Sequence, residues 1–197
     1  SCIPEVEIKN SYFFNHIFYN NEGIPDSLSI ELRIKKFEGR IGIKSRRYAR
    51  SDQVASDLGV VALKNALNSS DFDINSLDAI VCASNFGDIN VPYHRSVFLA
   101  NLATRILQKT GFDAEKIGHI QCFDILYGCP GFLEGLIQAD MLIKTGKTKR
   151  IAVIGTETLS RVCDPHDMNS MIYSDGAGCM IVEIAHGVDE GILHTIS

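Results

Sequence analysis

The stretch FDILYGCPGFLEGL, residues 123 to 136, sets Cys129 between two glycines and a proline, where an extended apolar run gives way to helix-forming residues. A helix N-terminus carries unpaired backbone N–H groups and about half a positive charge, which favours a thiolate over a thiol. Such a position can bring a cysteine pKa from about 8.5 toward neutrality. Pro130 suits the first helical position, because its φ is already helical and its missing N–H would have had no partner there. Gly128 and Gly131 leave room for a substrate carbonyl to reach the sulfur and a backbone N–H that could serve as oxyanion donor. The same residues also read as a buried cysteine at a tight strand-to-helix turn, with the glycines present for packing, and local physics leaves both readings open. An α/β-hydrolase elbow fits less well, since it wants small residues two places either side of the nucleophile and Tyr127 occupies one of them.

The other candidate groups carry weaker signals. The remaining cysteines, at 2, 82, 122, 163 and 179, form no C-x-x-C pair and no zinc-type Cys/His spacing, so no metal is expected. Cys82, Cys122 and Cys179 lie in strand-like runs and read as small core hydrophobes. His166 and Asp167, in CDPHD, are formal candidates for a triad with Cys129. The run KKFEGRIGIKSRRYAR, Lys35 to Arg50, is either a solvated basic face or a site for phosphates or an acidic protein. Asp175, Gly176 and Gly178, in SDGAG, read as a tight turn supporting the floor of a site. They do not open a helix after a strand, which argues against a phosphate cradle.

The elements that must position these groups alternate between short continuous apolar runs and helix-like periodicity, the rhythm of strands buried on both faces and covered by helices. The fold class is therefore α/β. Strands are predicted at DAIVCAS, HIQCFDI, RIAVIGT and CMIVEIA. Helices are predicted at PDSLSIELRIKKF, capped by Asp26 or Ser27, and at SDQVASDLGVVALKNALN, with Val54, Leu58, Val61 and Leu67 on one face. Two more are predicted at RSVFLANLATRILQKTG and PGFLEGLIQADMLIKTG, closed by Gly111 and Gly146. With 197 residues and 45% hydrophobic content the chain can bury a sizeable core. Its net charge of −5 argues against a nucleic-acid partner. It has neither a signal-peptide layout nor an apolar run near the roughly 18 to 20 residues that cross a bilayer, so a cytoplasmic protein is expected. SCIPEVEIKN begins as if in the tail of a strand and GILHTIS ends as if entering another, which suggests part of a longer protein.

Four stretches in order, GRIGIKSRR at 39–47, DAIVCASNFGDINVP at 78–92, FDILYGCPGFLEGL at 123–136 and CDPHDMNSMIYSDGAGCMIVE at 163–183, resemble the 3-oxoacyl-(acyl-carrier-protein) synthase III branch of the thiolase-like condensing enzymes. The resemblance implies that residues 1–197 are the N-terminal thiolase-like domain, one half of a duplicated five-layer fold, with a mixed, mostly parallel sheet covered by helices. The C-terminal half would be absent from this chain. Cys129 matches the family's acyl-accepting cysteine, which takes an acyl group as a thioester and yields it to a carbanion formed by decarboxylating malonyl-acyl-carrier protein. The His and Asn that stabilise that carbanion come from the second half in this family, so neither role is carried to a residue here. The fragment alone is expected to be inactive.

The resemblance also assigns Arg40 to the nucleotide side of the substrate site and Val91 to a position near the acyl pocket, where a small side chain would admit a longer or branched acyl group. In this family a Trp and an Arg commonly sandwich the adenine of coenzyme A; Lys36 and Met168 stand at those positions, and the chain has no Trp. The expected primer is therefore an acyl thioester other than acetyl-CoA, with acyl-carrier protein as partner, no cofactor beyond these thioester substrates, no membrane association, and a homodimer. Alternatives on the same fold are a polyketide, alkylresorcinol or hydroxymethylglutaryl-CoA synthase relative, or a non-catalytic partner subunit.

Overall fold

The computed structural model describes residues 1–25, 27–91, 95–97, 100–113, 115, 119–187 and 191–195. At its centre is a four-stranded sheet built from β3 (Ala79–Ala83), β6 (Gln121–Ile125), β7 (Arg150–Glu157) and β8 (Gly176–Glu183), in the order β6-β3-β7-β8. β3 runs parallel to both β6 and β7, while β8 returns antiparallel along β7. The sheet is thus mixed and mostly parallel, as expected.

Side-chain alternation divides the core in two. Ile80, Cys82, Ala152 and Ile154 face α2 (Ala55–Ser70) and α3 (Leu102–Lys109), whereas Ala79, Val81, Ile151 and Val153 face α4 (Gly131–Lys144). A third cluster joins Phe13 and Phe18 to Ile34 and Phe37 of α1 (Ile30–Ile41) and to Met171. A small antiparallel pair, β1 (Val6–Lys9) and β2 (Ser45–Tyr48), and a hairpin of β4 (Asp88–Asn90) with β5 (Arg95–Val97) complete the named elements.

Several expectations change. α1 begins at Ile30, capped by the Ser29 hydroxyl, which accepts from the Leu32 N–H. Ser27 is therefore not the cap, and Asp26 lies outside the described residues. α3 begins at Leu102, and Arg95–Val97 pair as β5. The reason is local: the Asn101 side chain accepts from the Thr104 N–H, and the Asp124 carboxylate accepts from those of Leu102 and Ala103. On α2, Leu58 and Leu67 are buried, but Val61 is 42% exposed and Val54 is the cap residue, because the contact face turns on Ala55, Leu58, Ala62 and Leu63. Gly176 and Gly178 are not a turn. They begin β8, Gly178 opposite Gly155, and Asp175 anchors the strand by accepting from Ala49, Ser160 N–H and the Ser160 hydroxyl.

Candidate active site

Because β3, β6 and β7 are parallel, their C-terminal ends open on the same edge of the sheet, where sites in such folds collect. Cys129 follows β6 there, in the turn that leads into α4. It is exposed, unlike the other five cysteines, which are buried or half-buried. Gly128 has φ +62°, a left-handed conformation that side chains resist, and its carbonyl accepts from the Gly131 N–H at 3.0 Å. Among the described residues no acceptor takes the Cys129 N–H, so this donor is open.

Two details of the turn differ from expectation. Pro130 is the cap residue, with φ −78° and ψ 1°, and Gly131 opens the helix, so Cys129 stands one residue further from the helix than expected. Gly131 is buried, and a Cβ there would lie 3.3 Å from the Cβ of Ala83. Its missing side chain serves the packing of α4 on β3 rather than substrate approach.

The turn is held from behind by the neighbouring strand ends. The Gly128 N–H donates to Asn85 Oδ1 at 2.9 Å. The Asn85 N–H donates to Glu157 Oε2 at 2.7 Å, and the Ser84 hydroxyl reaches both Glu157 oxygens at 3.3 Å. Register explains the meeting: Ala83 pairs with Gly155, so Asn85 and Glu157 each lie two residues beyond the same rung. Burial pushes the Glu157 carboxyl above its usual range, an effect that hydrogen bonds from Asn85, Ser84, Thr158 and Phe86 partly offset. Sequence reasoning missed Ser84, Asn85 and Glu157. The separations of 43 and 72 residues leave no local pattern; only pairing of the strands could have found them.

Arg40 and Val91 are not part of this hydrogen-bonded assembly. Arg40 lies exposed in the last turn of α1, and Val91 follows β4 with 43% of its surface open. Lys36 is exposed on α1, while Met168 packs against the Phe13–Phe37 cluster. His166 Nδ1 is 2.8 Å from the Ile17 carbonyl oxygen, which occupies one of the two ring nitrogens a triad requires. The Lys35–Arg50 run is not one basic face. Arg46 is 4% exposed and donates to the carbonyls of Met171 and Ile8 and to Asn10 Oδ1. Arg47 donates to the Glu5 carbonyl, and Arg50 pairs with Asp52.

Burial raises the thiol pKa of Cys2, Cys82, Cys122 and Cys163, and that of Cys179 to about 12. Burial thus disfavours the thiolate at all five. The described residues contain no His/Cys/Asp/Glu cluster that could hold a metal ion and no helix long and apolar enough to cross a membrane.

Residues 123–196 match the family model described as 3-Oxoacyl-[acyl-carrier-protein (ACP)] synthase III. A beta-ketoacyl-[acyl-carrier-protein] synthase III of Paracoccus denitrificans is 31% identical over 98% of this chain and 53% of its own length. The crystal structure of a 3-oxoacyl-[acyl-carrier-protein] synthase III from Aquifex aeolicus superposes with a TM-score of 0.74 at 24% identity, over 95% of this chain and 52% of that one. The priming beta-ketosynthase of the R1128 polyketide pathway gives 0.74 at 26% identity, over 93% and 47%. The chain spans about half the length of the curated relatives it matches. In sequence and in its α/β thiolase-type fold, this chain resembles part of a 3-oxoacyl-[acyl-carrier-protein] synthase III, a condensing enzyme.

Proposed function

We propose that this chain is the acyl-loading half of a decarboxylative condensing enzyme and that Cys129 is its nucleophile. The observation that carries the reading is the exposed thiol on a left-handed glycine turn at the open ends of three parallel strands, beside its own uncommitted N–H. In the first half-reaction the Cys129 thiolate attacks the carbonyl of an acyl thioester. The tetrahedral oxyanion is received by the Cys129 N–H, the carbon–sulfur bond to the carrier breaks, and the carrier leaves as a thiol. In the second, malonyl-acyl-carrier protein loses carbon dioxide and its α-carbon attacks the Cys129 thioester. A carbon–carbon bond forms, the enzyme's carbon–sulfur bond breaks, and 3-oxoacyl-acyl-carrier protein departs.

Residues 1–197 constitute one thiolase-like domain in this reading, and a second domain supplies the His and Asn that stabilise the enolate. Leu126, Tyr127, Leu133 and Met141, around and along α4, are 66%, 58%, 61% and 46% exposed, which supports an apolar partner over this region. β6 is an edge strand of the sheet, and pairing with a second copy would cover it, consistent with a homodimer. Arg40 contacts the carrier's phosphate-bearing arm, and Val91 borders the acyl pocket. The engagement of Met168 in a core cluster supports a primer delivered without adenine stacking, on acyl-carrier protein.

Similarity to a priming ketosynthase of a polyketide pathway favours one second reading, in which the same loading chemistry starts a polyketide. Incubation of the complete enzyme with acyl- and malonyl-acyl-carrier protein tests the proposal. A 3-oxoacyl product that disappears in Cys129→Ala is expected. Turnover by residues 1–197 alone would overturn the assignment of the enolate-stabilising groups to a second domain.

A further inference from the structure

We propose that Glu157 is a positioning residue for acyl transfer, acting through Asn85 on the turn that carries Cys129; this rests on the reading of Cys129 as acyl acceptor. Asn85 is a two-ended link. Its backbone N–H donates to Glu157 Oε2 at 2.7 Å, and its side-chain oxygen accepts from the Gly128 N–H at 2.9 Å. Glu157 also receives the Ser84 hydroxyl, whose oxygen accepts from the Gly87 N–H at 3.0 Å, so one carboxylate gathers the whole loop that leaves β3. Gly128, held at φ +62°, sets the direction in which the chain presents the Cys129 sulfur and N–H. Oxyanion stabilisation depends on that N–H pointing at the developing charge, and a displacement of about 1 Å can cost a factor on the order of 100 in rate. Simple alkylation of the thiol makes no such demand.

The two chemistries separate positioning from mere stability. The rate of Cys129 acylation by hexanoyl-N-acetylcysteamine and the rate of its alkylation by iodoacetamide are measured in the complete enzyme, in Glu157→Ala, Glu157→Gln, Asn85→Ala and the double alanine variant. Glu157→Ala and Asn85→Ala should each lose about tenfold or more in acylation while alkylation stays within about threefold. The double variant should be no more than about threefold slower than the slower single variant, because the two residues act in series. Glu157→Gln keeps an oxygen for the Asn85 N–H and should restore acylation to within about threefold of wild type.

Acylation of Glu157→Ala at the wild-type rate, multiplicative losses in the double variant, or a Gln variant as slow as the Ala variant would each overturn the positioning role. If Glu157→Ala does not fold, Asn85→Ala decides: retained acylation overturns the proposal, and selective loss of acylation supports it. Absence of acylation in the wild type is a different failure, which removes the reading of Cys129 itself.

Discussion

Gly135 lies in the interior of α4, where glycine costs about 1 kcal/mol relative to alanine, so helix propensity alone would favour Gly135→Ala. Packing reverses the sign. A Cβ at 135 would meet Val153 Cγ1 at 2.8 Å and Val81 Cγ1 at 3.6 Å, against the roughly 3.5–4.0 Å at which carbons rest. Both valines are fully buried in the middle of the sheet, and β-branched side chains have little rotameric freedom with which to yield. Overpacking of this kind costs about 1–3 kcal/mol; with contacts on two strands the upper end applies, and about 2 kcal/mol remains after the propensity gain. For a chain of this size that lowers the melting temperature by about 4–8 °C. Gly39→Ala, in α1 with nothing within 4 Å of the added Cβ, is the control of opposite sign and should raise it by about 2–4 °C. Thermal melts followed by circular dichroism read both. A Gly135→Ala variant that melts at or above wild type would refute the claim that close approach of α4 to the sheet requires this glycine.

Limited alkylation at pH 8 should label Cys129 first, checked by peptide mapping; Cys179, with its thiol pushed up to about 12, is then only about one part in 10,000 thiolate. Arg46→Ala strands the Met171 and Ile8 carbonyls and Asn10 in the interior and should cost about 3 kcal/mol, read from urea unfolding. The folded-state pKa of Glu157 lies above the ordinary 4.5, so the native protein binds more protons than the unfolded chain in the window above 4.5, and this group's contribution to stability is lost as pH rises through it. Glu157→Gln should therefore gain stability relative to wild type as pH rises from 4.5 toward neutrality. A difference in urea midpoints that stays flat or falls would refute that assignment. Loading of Cys129 should be faster from an acyl-carrier-protein thioester than from acetyl-CoA, and Arg40→Ala should raise KM for the carrier; the reverse preference would remove the argument drawn from Lys36 and Met168.

The central sheet was legible because strands buried on both faces leave continuous apolar runs, and β3, β6 and β7 appear within a residue or two of where those runs lie. Helix ends were less so. Apolar spacing continued the third predicted helix back to Arg95, whereas side chains of Asn101 and Asp124, the latter on β6 and 22 residues from Leu102, fix its start. Arg46 shows the limit of charge patterning: within a basic run it reads as solvated or as facing an anionic ligand, yet its partners lie on β1 and 125 residues away at Met171. The turn that exposes Cys129 was legible because glycine and proline write it into the local sequence. Its support was not, because Asn85 and Glu157 become neighbours only through the register of β3 and β7.

The central claim is that Cys129 carries the acyl group between two thioesters. The direct measurement is peptide mass mapping of the complete enzyme after exposure to an acyl thioester, before and after malonyl-acyl-carrier protein is added. One acyl adduct on the peptide containing Cys129, discharged on the second addition and absent from Cys129→Ala, is the expected result. No adduct, or an adduct that persists in Cys129→Ala, would contradict the account.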